Sequence, residues 1–130
     1  MASIRREFLI DARPEAVWDA VRDLGALHTR LVPGFVTDCK LEEGARMVTF
    51  ANGVTAREVI VDLDDERRRL VWSATGGRLT HHNASAQVFA AGDKTRFVWT
   101  ADLLPNEMAG PIAAMIDAGC AAMKKALERK

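Results

Sequence analysis

Apolar and polar positions alternate loosely over residues 3–10, where Ile4, Phe8 and Ile10 share one side and predict a first strand. The period then lengthens. In PEAVWDAVRDL, Val17, Trp18, Val21 and Leu24 recur at helical spacing, with Pro14 suited to the first turn and Gly25 to the stop. ALHTRL predicts a second short helix, which Pro33-Gly34 breaks. From Phe35 onward the chain reads as short β-rich runs separated by Glu43-Gly44, Asn52-Gly53, LDDERR, Gly76-Gly77 and Gly92-Asp93, the turn chemistry of six successive antiparallel strands. After Pro105 the helical period returns. Ile112, Met115, Ile116, Gly119, Met123 and Leu127 fall at three- and four-residue spacing, and Lys124, Lys125, Arg129 and Lys130 suit the negative end of that helix's dipole.

This order predicts an α+β fold in a single domain over 1–130: a seven-stranded antiparallel sheet, two short helices after the first strand, and a long C-terminal helix. Such a sheet must curve around the helix to bury its apolar face. Small residues on the helix (Ala113, Ala114, Ala118, Gly119, Ala121, Ala122) and on the strands (Ala84, Ala86, Ala101) favour a void between the two layers. Close helix-to-sheet packing without a void is an equal alternative.

Composition narrows the function classes. Eighteen Lys plus Arg balance eighteen Asp plus Glu, so no long-range field gathers nucleic acid or anionic lipid. The N-terminal segment MASIRREFLIDARPEAVW has no apolar run of signal-peptide length, and Asp117 interrupts the most apolar later stretch. A protein of the cytoplasm, not inserted in a membrane, is the expectation. Two cysteines, Cys39 and Cys120, stand in no metal-ligand spacing and do not predict a disulfide. No glycine-rich phosphate loop, zinc-spaced ligand set or nucleophile motif is present, so neither a metal nor another cofactor is expected.

PEAVWDAV, LVPGFV, REVIVDLDDERRRLVWSATGG, FVWTADLLP and the closing helix follow one another in an order that resembles the START-like, or Bet v 1-like, helix-grip superfamily, in its polyketide cyclase/dehydrase branch, SRPBCC. The resemblance covers nearly the whole chain and implies an elongated, mostly apolar cavity between sheet and long helix. EVIVDLDDERR, with GG and RLT after it, further resembles the corresponding strands of plant abscisic-acid receptors. That likeness implies that Ala56, Glu58, Trp72, Ala74, His82 and Ala84 face the cavity. Two departures speak against hormone sensing: the tight FANGV turn stands where those receptors carry a proline-bearing gate loop, and no lysine for a hormone carboxylate stands near Thr29 and Arg30.

His81 and His82 are adjacent, which suggests a metal or a proton relay, yet consecutive side chains of a strand point to opposite faces. His82 falls with Ala84, Ala86 and Val88, and His81 with Asn83, Ser85 and Gln87, so the polarity of the alternation puts His82 inside. It serves either as a hydrogen-bonded wall residue or as a ligand contact. Glu58, in an apolar space, needs a partner such as His82, an arginine or water, or else turns to solvent. Trp72 is expected to line the cavity, alternation leaves the facing of Trp99 open, and Met47, Met108, Met115 and Met123 suit an adaptable pocket or a plain core. His28 stands either at the cavity rim or on the surface, and the charged LDDERR turn reads as solvated.

The leading expectation is a protein that binds a small apolar or aromatic ligand through Ala56, Glu58, Trp72, Ala74, His82, Ala84, Met115 and Gly119. A polyketide cyclase/aromatase or dehydratase with Glu58 and His82 as acid and base is the enzymatic alternative. A filled cavity in an interaction protein, for instance a homodimer, is the third.

Overall fold

The computed structural model describes residues 1–128; Arg129 and Lys130, expected at the end of the last helix, lie outside the described residues. The elements are β1 (Ala2–Ile10), α1 (Pro14–Arg22), a 3₁₀ turn (Leu24–Ala26), a π turn (Leu27–Leu31), β2 (Val36–Glu42), β3 (Ala45–Phe50), β4 (Thr55–Asp64), β5 (Arg69–Thr75), β6 (His81–Ala91), β7 (Lys94–Leu104), a 3₁₀ turn (Asn106–Met108) and α2 (Ala109–Leu127). Seven strands form one antiparallel sheet in the order β1-β7-β6-β5-β4-β3-β2. It curves around α2, as a helix-grip fold requires.

Pro14 starts α1 with its φ already helical, and Val17, Trp18, Ala20 and Val21 turn into the core. The helix ends sooner than Gly25 suggests. Asp23 leaves helical geometry at φ −81°, ψ 77°, so Leu24 belongs to the following turn and not to the α1 face. Nor is the LDDERR turn simply solvated: Asp65 Oδ1 accepts the Trp18 indole N–H at 2.9 Å and the Arg22 guanidinium at 2.7 Å, which ties the β4–β5 turn to α1.

Phe97, Ile10, Leu70 and Leu103 fill the floor of the sheet, and Ile116, Gly119 and Met123 are the buried face of α2. Gly119 is required by close approach. A Cβ there would stand 3.0 Å from two Trp99 ring carbons and 3.3 Å from Phe35, so the absence of a side chain lets the helix seat on both rings. Most of the other small helix residues play no such part, since Ala114, Ala118 and Ala121 are exposed on the outer surface of α2.

Candidate functional site

Sheet and helix enclose a cavity of about 420 Å³, within the range of small-molecule sites. Ile112, Met115, Ile116 and Met123 of α2 form one wall, and Trp72, Ala86, Phe97 and Trp99 much of the other. The void exists although the helix lining is not made of alanines. Exposed residues at the β3–β4 turn (Asn52, Val54, Thr55) and the β5–β6 loop (Gly76, Gly77, Arg78) frame its mouth.

One polar row crosses this apolar wall. Arg46 of β3 pairs in register with Glu58 of β4, Glu58 pairs with Ala74 of β5, and Ala74 meets His82 of β6. Arg46 Nε donates to Glu58 Oε1 at 2.9 Å, and a terminal guanidinium nitrogen donates to the Leu24 carbonyl oxygen at 3.2 Å. Both side chains are nearly shut off from solvent, at 4% and 9% exposure. Glu58 therefore does not turn outward, and its partner is the buried Arg46 and not His82.

The backbone ladder between β5 and β6 stops at Trp72–Ala84. Beyond it side chains take over: the Ala74 N–H donates to His82 Nδ1 at 2.9 Å, and the Ser73 hydroxyl donates to the His82 carbonyl oxygen. Since Nδ1 accepts, the neutral ring carries its proton on Nε2, and a second proton at Nδ1 would oppose the Ala74 N–H. Burial, and secondarily the neighbouring His81, hold the His82 pKa below its ordinary value. His82 is thus a neutral hydrogen-bond donor in the cavity wall. His81, one residue away, is exposed.

Of the expected lining residues, Ala56, Glu58, Trp72, Ala74, His82 and Met115 are in the wall. Ala84 and Gly119 are not. Ala84 lies between its register partners Trp72 and Ala101 at 2% exposure, and Gly119 is covered by Trp99, whose ring centroid stands 6.1 Å from that of Trp72. Trp99 faces inward. Met108 and Met123 line the cavity, whereas Met47 and His28 do not. Arg46, Phe35 and Phe50 belong to the wall and escape sequence reasoning; strand alternation between Ala45 and Met47 puts Arg46 opposite both, but only the register with Glu58 gives it a purpose. Cys39 and Cys120 are both free, and burial pushes the Cys120 thiol up to about 11. Among the described residues no cluster of three or more His, Cys, Asp or Glu could hold a metal ion, and no helix is long and apolar enough to cross a membrane.

A sequence model of the family described as polyketide cyclase / dehydrase and lipid transport matches residues 1–129. The chain belongs to that family. No curated relative matches it. Among solved structures, a protein of Thermobifida fusca is similar at 28% identity with a TM-score of 0.76, over 98% of this chain and 91% of the other. An uncharacterised protein of Bacillus thuringiensis has a TM-score of 0.85 at 19% identity, over 96% of this chain and 98% of the other. Norcoclaurine synthase of Thalictrum flavum, solved as a point mutant with a transition-state analogue, has a TM-score of 0.67 at 21% identity, over 95% and 94%. The last two share the fold with this polyketide cyclase/dehydrase family member, and the family's description spans both ring-forming chemistry and carriage of lipids.

Proposed function

We propose that this protein binds a small apolar or aromatic molecule in the cavity between sheet and α2, with Glu58 and His82 as its polar contacts. The observation that carries this reading is the apolar space of about 420 Å³ crossed by a single polar row. Affinity derives mainly from burial at about 25 cal/mol per Å² of apolar surface. Each satisfied hydrogen bond adds about 0.5–1.5 kcal/mol. The cyclase or dehydratase alternative needs His82 as an acid–base partner of Glu58, and the wall disfavours that role: with Nδ1 occupied by a backbone N–H and the ring proton on Nε2, His82 has no free lone pair with which to act as a base. Two free cysteines favour the cytoplasm over an oxidising compartment.

Native mass spectrometry of the protein purified from its own source tests the reading. A copurifying small molecule, released on denaturation and rebound with a one-to-one stoichiometry that Trp72→Ala weakens, is the expected result. Saturable binding of neither the native molecule nor an apolar dye would refute it.

A further inference from the structure

We infer that the cavity selects electrically neutral molecules bearing a hydroxyl group over their carboxylate and ammonium counterparts. This rests on the binding reading and adds the charge and hydrogen-bonding class of the ligand. Four lining residues carry titratable or charged groups: Arg46, Glu58, His82 and Arg78. Arg46 and Glu58 cancel each other at 2.9 Å within the wall. His82 is held neutral by the Ala74 N–H on its Nδ1. Arg78 is exposed at the mouth. The inner wall is therefore polar yet carries no net charge.

Its free hydrogen-bonding capacity is specific. Glu58 Oε2 makes no hydrogen bond to the described residues, and it is not among the atoms closed off from all space, so it opens onto the cavity as an acceptor. His82 presents Nε2–H, a donor. A ligand that gives a hydroxyl hydrogen to Glu58 and accepts from His82 through a ring or carbonyl oxygen satisfies both without adding charge. The two residues stand two strand spacings apart, about 10 Å between backbones, which suits the width of a fused aromatic ring. A carboxylate would bring a second anion beside Glu58, and an ammonium a second cation near Arg46. Either leaves one uncompensated charge in a low-dielectric space.

The test compares 2-naphthol, naphthalene, 2-naphthoate and 2-naphthylmethylammonium at neutral pH, by displacement of an apolar dye. Arg78→Gln protein is used, so that no cation at the mouth can recruit the acid. Naphthol should bind about 3- to 10-fold tighter than naphthalene, since a purely apolar cavity would disfavour the hydroxyl. It should also bind at least about tenfold tighter than either ion. Glu58→Gln leaves Arg46 unpaired and should raise naphthoate at least about tenfold relative to naphthol. The double substitution Arg46→Met with Glu58→Leu should erase the hydroxyl advantage. Naphthalene equal to naphthol, or an ion equal to it, overturns the inference while dye binding keeps the broader reading; no dye binding overturns both. Should Glu58→Gln lose its folded circular dichroism, the four-probe comparison in Arg78→Gln protein still decides.

Discussion

Arg46 and Glu58 stand opposite each other in the register of β3 and β4, and their 2.9 Å contact joins two buried side chains at the edge of an apolar cavity. Desolvation offsets much of the attraction in such a pair, whereas loss of one partner strands a charge. Arg46→Met or Glu58→Leu alone should lower the unfolding free energy by about 3–5 kcal/mol. The double substitution should cost less than either single one. Urea unfolding of the four proteins closes the cycle, and costs that simply add would show that the two side chains are not coupled.

His82 links stability to pH with a definite sign. Its folded pKa is depressed by burial, so between that value and the ordinary one, about 6.5, the unfolded chain holds more protons. Stability is then complete above about pH 6.5, declines as pH falls through the window, and levels off below the folded pKa. Protonation also opposes the Ala74 N–H that bridges β5 and β6. His82→Gln, whose amide oxygen can accept the same N–H, should flatten the decline between about pH 7.5 and pH 5 in urea midpoints. An unchanged decline would assign it to other groups.

The same face rule separates the two histidines in binding. His82→Ala should weaken a ligand that accepts from Nε2–H by about 0.5–1.5 kcal/mol, or roughly 2- to 13-fold. His81→Ala, on the exposed side of β6, should leave affinity unaltered. Calorimetric titration with any ligand found by native mass spectrometry measures both, and equal losses would contradict the register of β6.

The element order and the inward facing of His82 were legible because period-2 and period-3.6 patterns report directly on burial, and the helix-grip architecture followed from the family resemblance carried by that order. What the pattern could not carry was pairwise. Arg46 reads as one more charged strand residue until the register sets it opposite Glu58. Likewise Ala84 sits on the inward face yet out of the cavity, buried between its register partners Trp72 and Ala101. Gly119 looks like cavity space in one dimension and proves to be a contact in three. The end of β5–β6 pairing at Trp72 has no sequence signal, although it frees His82 for its bond to Ala74.

Gly119 supplies a steric prediction. A methyl at this position meets Trp99 at 3.0 Å, too close without movement of the ring. Replacing glycine inside a helix gains about 0.5–1 kcal/mol, and the overpacking costs about 1–3 kcal/mol. Gly119→Ala should therefore be mildly destabilising, and Gly119→Leu more so, in thermal melts. Because Trp99 lines the cavity, both should also shift tryptophan fluorescence and reduce dye binding. Full stability with unchanged fluorescence in Gly119→Ala would mean that α2 does not seat on Trp99.

Glu58→Gln separates binding from chemistry. Glutamine keeps the size and an acceptor oxygen, but it cannot take up or release the proton that acid–base catalysis requires. With a neutral hydroxyl-bearing ligand the substitution should change affinity modestly, within about tenfold or 1.4 kcal/mol. Were Glu58 a general acid or base, turnover would instead fall by about a hundred- to ten-thousandfold, with substrate binding retained. The comparison uses the ligand identified by mass spectrometry, or aromatic polyketides and fatty acids as a screen, with binding and product formation followed in the same samples. Binding without product, changed by no more than about tenfold in Glu58→Gln and lost in Trp72→Ala, is the expected outcome, because Arg46 holds the Glu58 side chain in the wall and Trp72 provides the apolar surface. Product that disappears in Glu58→Gln while the substrate still binds would make the cyclase or dehydratase reading the correct one.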